Sequence, residues 1–450
     1  MIRSNKHYLL LITIALGTLL NPLNSSMISV ALTRIQGNFH LSFSDVSWLI
    51  STFYLASAIA QPVLGKLGDF FGRKRLFLLG LSLVAAASML APFSPNLGTL
   101  ITLRVVQAIG SAALFPSGMG IIRNVVTENQ ARAIGILSVF SSTAAAFGPS
   151  IGGFLIHWAD WPAIFLVNFP FIIASFTLAI FVLPKDSVHE QKAANLDISG
   201  ILLFSGTIIS FLLFLLSLDS GFNGWDLALG IVFAFLFYIN ESRSRNPFID
   251  LRALTSNSNA ALVYLQFILV NVIFYSIFFG VPAYLQKAAH FNAQTTGLIM
   301  LSIAGFGVVI VPLAGRWIDR SGPKPVLITG SIITIIGTLM LQLIQDSSTA
   351  AAIFGLLSVL GLSVGFNNLG LQTALYTFVP RSETGAASGL FMTSRYFGTI
   401  LSSSLLGMIF ASHISASRFH LIATVCAVIG TIVLMLSVRM PNRKLAEKTG

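Results

Sequence analysis

Arg104 and Arg395 are the two cationic residues that fall inside long apolar runs of this chain. Asn24, Gln107, Asn271, Tyr275, Asn367, Asn368 and Gln372 place further polar atoms in such runs. A guanidinium in hydrocarbon costs about 2.5–3.5 kcal/mol or more, so it must face a partner or a wet cavity. Groups of this kind hold and pass solutes; bond cleavage would need His, Asp or Glu clustered at the same depth. The acids lie instead at run ends and in polar segments, so neither a membrane-embedded enzyme nor a metal site is expected. The single cysteine, Cys426, rules out an internal disulfide framework. No Gly-x-x-x-x-Gly-Lys-Ser/Thr loop is present, so ATP is not expected as the energy source. A sensor would carry a soluble signalling domain, and the sequence shows none.

The elements that position these residues are apolar runs of about 20 residues, each long enough to cross the ~30 Å core of a bilayer. The chain is 55% hydrophobic and 9% charged, too few charges for a water-facing surface. Unbroken runs, rather than strand alternation, predict an all-α polytopic membrane protein with fourteen spans, the first from Tyr8 to Leu32. That first run is too long for a cleavable signal peptide. Of the 26 Lys and Arg, 21 lie in the segments on one side and only Arg34, Lys287 and Arg418 on the other. The bias predicts both termini in the cytoplasm. It also accounts for the net charge of +11 without nucleic acid, because the basic residues are spread over short loops.

One loop is denser than the rest. Gly65-Lys66-Leu67-Gly68-Asp69-Phe70-Phe71-Gly72-Arg73-Lys74-Arg75 sits between the second and third runs, and Gly315-Arg316-Trp317-Ile318-Asp319-Arg320-Ser321-Gly322-Pro323-Lys324 echoes it 250 residues later. The first loop resembles the signature between the second and third helices of major facilitator transporters. The repeat and the two runs between its halves resemble the fourteen-helix branch of drug:proton antiporters, the EmrB/QacA type, over essentially the whole chain. The resemblance implies a six-helix bundle (1–197), two inserted helices and a connector (198–258), and a second six-helix bundle (259–450). It implies a monomeric, proton-driven multidrug exporter of amphipathic molecules in a bacterial cytoplasmic membrane, working by alternating access without a cofactor. Its partners would be a small-molecule substrate, protons and the lipid bilayer. A dedicated exporter or facilitator of one small metabolite is the alternative.

The resemblance also assigns roles. Asp69 and Arg73 would form a cytoplasmic gate. Arg104-Val105-Val106-Gln107-Ala108-Ile109-Gly110 is similar to a fourth-helix motif implicated in proton coupling, although buttressing a kink is an open alternative for Arg104. Gly148-Pro149-Ser150-Ile151-Gly152-Gly153 is similar to the exporter signature of the fifth helix, and its small residues also suit tight helix packing. Leu23-Asn24 stands where the family pattern reads Leu-Asp. Asn24 cannot take up a proton; with Arg104 it lies about eight residues into its span, roughly 12 Å deep, so the two could meet. Asp45 is the nearest outward acid to Arg104 in predicted depth, or simply a helix cap. Asn271, Tyr275, Asn367, Asn368, Gln372 and Arg395 of the second bundle would together polarise a central substrate cavity between the bundles, or act singly as helix–helix glue. The missing acid and the two arginines favour anionic or zwitterionic cargo.

Overall fold

The computed structural model describes residues 2–40, 43–126, 128–186, 197–217, 224–244, 247–249, 258–410 and 414–442. Regular structure among them is helical. The first compact unit comprises residues 1–196 and 380–393, the second 197–379 and 394–450.

The first unit holds α1 (Ile2–Thr18), α2 (Leu20–Phe39), α3 (Phe43–Phe71), α4 (Arg73–Leu90), α5 (Leu97–Val125), α6 (Gln130–Ala159), α7 (Ala163–Leu166) and α8 (Asn168–Val182). α1 and α2 cover the first expected span, with a junction at Leu19. Pro22 has no N–H to return to Thr18, while the bonds from Leu19 to Ala15 and from Leu23 to Leu19 keep the chain helical. α5 is the central helix, packed on both α3 and α4. Glycines make the close seam with α4 possible: a Cβ at Gly80 would lie 2.6 Å from the Gly110 carbonyl oxygen. Asn96 caps α5, its side chain accepting from the Thr99 N–H at 2.9 Å.

The second unit holds α9 (Ile198–Ser217), α10 (Gly224–Arg243), α11 (Ser258–Lys287), α12 (Ala293–Ser321), α13 (Pro323–Met340), α14 (Ala350–Phe378) and α16 (Ala416–Arg439). α15 (Thr384–Phe410) is divided, its residues up to Thr393 clustering with the first unit. α14 takes the central place, packed on α12, α13 and α11, while α9 and α10 pack chiefly on each other.

The sequence repeat is a repeat of structure. Pro62, Gly65, Asp69 and Gly72 along α3 are matched 250 residues later by Pro312, Gly315, Asp319 and Gly322 along α12. Both helix pairs turn on a glycine at positive φ, 107° at Gly72 and 81° at Gly322, a region that a side chain disfavours.

Over their described residues, the fourteen expected stretches are helical. Among the described residues, eleven helices or helix pairs are long and apolar enough to cross a membrane. The other three are α9, with a shorter apolar stretch at Ile198–Phe214, and α6 and α15, both rich in Gly, Ala, Ser and Thr. Large apolar side chains point outward along the helices, Phe93 at 79%, Trp225 at 80% and Phe181 at 82% exposure, as a hydrocarbon surround requires.

Candidate functional site

The first unit brings polar side chains from four helices into one buried chain of hydrogen bonds. Arg104 of α5 donates through Nη1 to Oε1 of Gln107 one turn on, at 2.6 Å. Gln107 Nε2 then donates to Asn24 Oδ1 of α2 at 3.2 Å and to Ser88 Oγ of α4 at 2.9 Å. Asn168, the first residue of α8, donates to Asn24 Oδ1 at 2.8 Å and to Ser88 Oγ at 3.3 Å. Asn24 closes on its own helix, Nδ2 to the Leu20 carbonyl at 2.8 Å. All five residues are at most 3% exposed. The amide orientations are mutually determined. Because Gln107 gives its N–H groups to Asn24 and Ser88, its carbonyl oxygen faces Arg104.

Asn24 and Arg104 thus meet through Gln107 rather than directly. Phe53 of α3 lies over the guanidinium, its ring centroid 4.2 Å from Cζ, a cation–π contact that partly offsets desolvation. None of these partners is a carboxylate. Toward the start of α2 and the middle of α5, Asn21 Nδ2 donates to Ser111 Oγ at 2.9 Å.

The sequence reading missed Asn168 and Ser88. An Asn opening an apolar helix carries a detectable signal, because a polar side chain at that depth needs a partner. A Ser does not, since its hydroxyl can return to its own backbone.

The second focus is at the ends of α3 and α4. Asp69 Oδ1 receives Arg73 Nε at 3.0 Å and Nη2 at 2.7 Å. Asp69 Oδ2 accepts from the Gly385 and Ala386 N–H groups at 3.1 and 3.3 Å, so the carboxylate sits at the positive end of α15. Arg73 donates further to the carbonyls of Gly120 at 2.6 Å and Arg381 at 2.8 Å. Arg123 reinforces the joint through Thr384 Oγ1 at 2.7 Å. Contact is at backbone distance: a Cβ at Gly65 would lie 2.5 Å from the Gly385 carbonyl carbon. Lys74 Nζ binds the last carbonyls of α8, Ile180 at 2.6 Å and Leu183 at 3.0 Å. Expected as a gate, Asp69 and Arg73 clamp α3 to the first turn of α15.

Gly148 faces Ser26 across the seam between α6 and α2, which its lack of a side chain lets close. The side chains of Pro149 and Asp45 lie outside the described residues. His157 is exposed.

Among the described residues the second-unit candidates make several separate contacts. Asn367 donates to Thr334 Oγ1 at 3.1 Å and borders a cavity of about 20 Å³ with Ser363, room for about one water. Asn271 donates to its own helix at Phe267 O, 2.7 Å, and packs against Gly398. Arg395, half-buried, sits 5.7 Å from the Phe267 ring. Tyr275 joins an aromatic stripe on α11 with Phe274, Phe278 and Phe279. Gln372 is buried and Asn368 half-buried on α14.

The sequence matches the profile of the Major Facilitator Superfamily over residues 14–403, and again over 312–449. It is 46% identical to the uncharacterized MFS-type transporter YwoD of Bacillus subtilis, covering 98% of both chains. It is 28% identical to the riboflavin transporter RibZ of Clostridioides difficile over 98% of this chain and 99% of that one. It is 29% identical to the tetracenomycin C resistance and export protein of Streptomyces glaucescens, over 90% of this chain and 76% of the relative. The crystal structure of the human organic anion transporter MFSD10 superposes with a TM-score of 0.68 at 14% identity, covering 96% and 99% of the two chains, which speaks to fold alone. Two helical units with a repeated turn, the clamp at Asp69 and the profile match converge: the chain belongs to the Major Facilitator Superfamily and is a polytopic membrane transporter.

Proposed function

We propose that the protein is a proton-driven exporter of amphipathic small molecules, built on the six-two-six plan of fourteen spans with both termini in the cytoplasm. The observation that carries this reading is the buried chain from Arg104 through Gln107 to Asn24, Ser88 and Asn168. Placing so many polar groups in an apolar bundle costs free energy that a purely structural helix packing does not require, so they serve a solute path. The tight α2–α6 seam at Gly148 agrees with an exporter, as does the likeness to the tetracenomycin C export protein. The Asp69–Arg73 clamp supplies the moving joint, made and broken once per cycle. Asn271, Tyr275, Asn367, Asn368, Gln372 and Arg395 contribute polar and aromatic surface to the substrate path of the second bundle.

Everted membrane vesicles with an imposed pH gradient, acidic inside, test the reading. Fluorescent amphipathic dyes should accumulate inside, and dissipating the gradient should release them. Uptake indifferent to the gradient would remove proton coupling and leave a facilitator. That second reading is favoured by one observation: the buried chain holds no carboxylate to carry a proton.

A further inference from the structure

Resting on the exporter reading, we infer that the Nε–Nη2 edge of Arg104 recognises a carboxylate carried by the exported molecule. Arg104 is 1% exposed, and its Nη1 is engaged by Gln107. Neither Nε nor Nη2 has a hydrogen-bond acceptor among the described residues. These two atoms form one edge of the planar guanidinium, with N–H groups directed side by side. That spacing is the one which holds the two oxygens of a carboxylate in a bidentate pair.

Among the described residues no carboxylate pairs with Arg104. Asn24, Ser88, Gln107 and Asn168 are neutral, Phe53 covers a face of the guanidinium rather than an edge, and Asp69 is paired with Arg73. The network also holds Gln107 with its oxygen toward Arg104, so the amide cannot turn to relieve the other edge. A buried cation offering two parallel donors and no acid is therefore complementary to a planar anion brought from outside. The Phe53 ring beside it suits an aromatic carboxylate and is the side chain that would swing to admit one. The same carboxylate chemistry could be met by a small acid from solution, and the two sources separate experimentally.

The test uses the full-length protein in phosphatidylcholine nanodiscs, with pyrenebutyrate and its neutral amide as a matched pair of fluorescent probes. Wild type should bind the acid at least about tenfold more tightly than the amide, as charge-assisted hydrogen bonds predict. Arg104→Lys keeps the charge but loses the fork, and should lose most of that preference. Gln107→Glu places a carboxylate of the protein's own on Arg104 and should abolish the preference for the acid over the amide. Acetate in excess should not displace pyrenebutyrate. Equal binding of acid and amide, a preference that survives both variants, or displacement by acetate alone would each overturn the inference. Everted vesicles keep the two readings apart. Acid preference in nanodiscs without export of either probe would sink the exporter and leave the carboxylate site standing. Equal export of both probes, with no preference in nanodiscs, would do the reverse.

Discussion

The α3–α4 and α12–α13 junctions share a pattern and differ in what they are attached to. Each has Pro, Gly, Asp and Gly in the same places, and each turns on a glycine at positive φ. Each is closed by a polar residue just beyond the last helix of its own half. Asp186 accepts the Lys74 and Arg75 N–H groups at 2.9 and 3.0 Å, and Asn442 donates to the Ser321 carbonyl at 2.8 Å. The difference lies one residue after the glycine. Arg73 ties Asp69 to Gly120 and Arg381, whereas Pro323 at the matching place can only start a helix. The repeated turn thus carries a clamping arginine after its glycine in one copy and a helix-starting proline at that place in the other.

The largest expected effect tests that asymmetry directly. Asp69→Asn removes the charge from two bonds to Arg73 and two to the start of α15. At about 1.5–3 kcal/mol per charged hydrogen bond, losing one equivalent slows transport by at least about tenfold if the clamped state is obligatory. Membrane abundance should stay near wild type. Asp319→Asn, with Pro323 where the arginine would be, should change the dye-transport rate less than about twofold. Equal losses from the two variants would dissolve the comparison.

A smaller effect tests what the junctions share. Alanine at Gly72 or Gly322 meets an unfavourable backbone region worth about 1–2 kcal/mol. The Gly72→Ala methyl also runs into the Asp186 carboxylate that caps α4, with the Asp186 Cβ 2.8 Å away. At Gly322 the obstacle is the Asn442 amide, near the chain's end. Both variants should unfold at lower temperature in detergent, Gly72→Ala by the larger margin. A smaller shift still is expected for Asp186→Ala, about 1 kcal/mol, the usual cost of a lost N-cap. Thermal unfolding followed by the protein's tryptophan fluorescence reads all three.

Legibility in the sequence followed the contrast between a residue and its background. Asp69 and Arg73 stood out because charge is rare here, and Arg104 and Gln107 because they interrupt an apolar run. The partners of Asp69 did not stand out. Gly385 and Ala386 offer backbone N–H groups, which no side-chain type announces, from more than 300 residues away. Asn24 was read as a departure from a family pattern, and its depth placed it near Arg104. The bridge through Gln107, and the closure by Ser88 and Asn168, depend on how four helices rotate about their axes. Small residues such as Gly80 and Gly110 set those rotations, and an apolar sequence leaves them unspecified. In the second bundle polarity marked the candidates without naming their partners, as with Asn271, whose acceptor lies within its own helix.

The smallest effect concerns the helix pair α9 and α10, which neither junction reaches. Asp197, just before α9, accepts from Gly200 N at 2.7 Å, Ser199 Oγ at 2.8 Å and Asn240 Nδ2 at 2.9 Å. Burial alone would raise its pKa, but these hydrogen bonds outweigh it and hold the carboxyl below the usual carboxylate range. The stability it contributes is therefore present above the unfolded-state value near ~4 and fades as pH falls through the lower folded value. Asp197→Asn should flatten that acid limb by lowering the unfolding temperature slightly at neutral pH, because the charge is gone while the amide oxygen can still accept from Gly200 and Ser199. The clamp gives the opposite signature, since Asp69→Asn acts on transport at neutral pH. An Asp197→Asn protein that lost export at pH 7 would mean that the inserted pair takes part in the cycle, and that the divide between a moving clamp and passive turns is drawn in the wrong place.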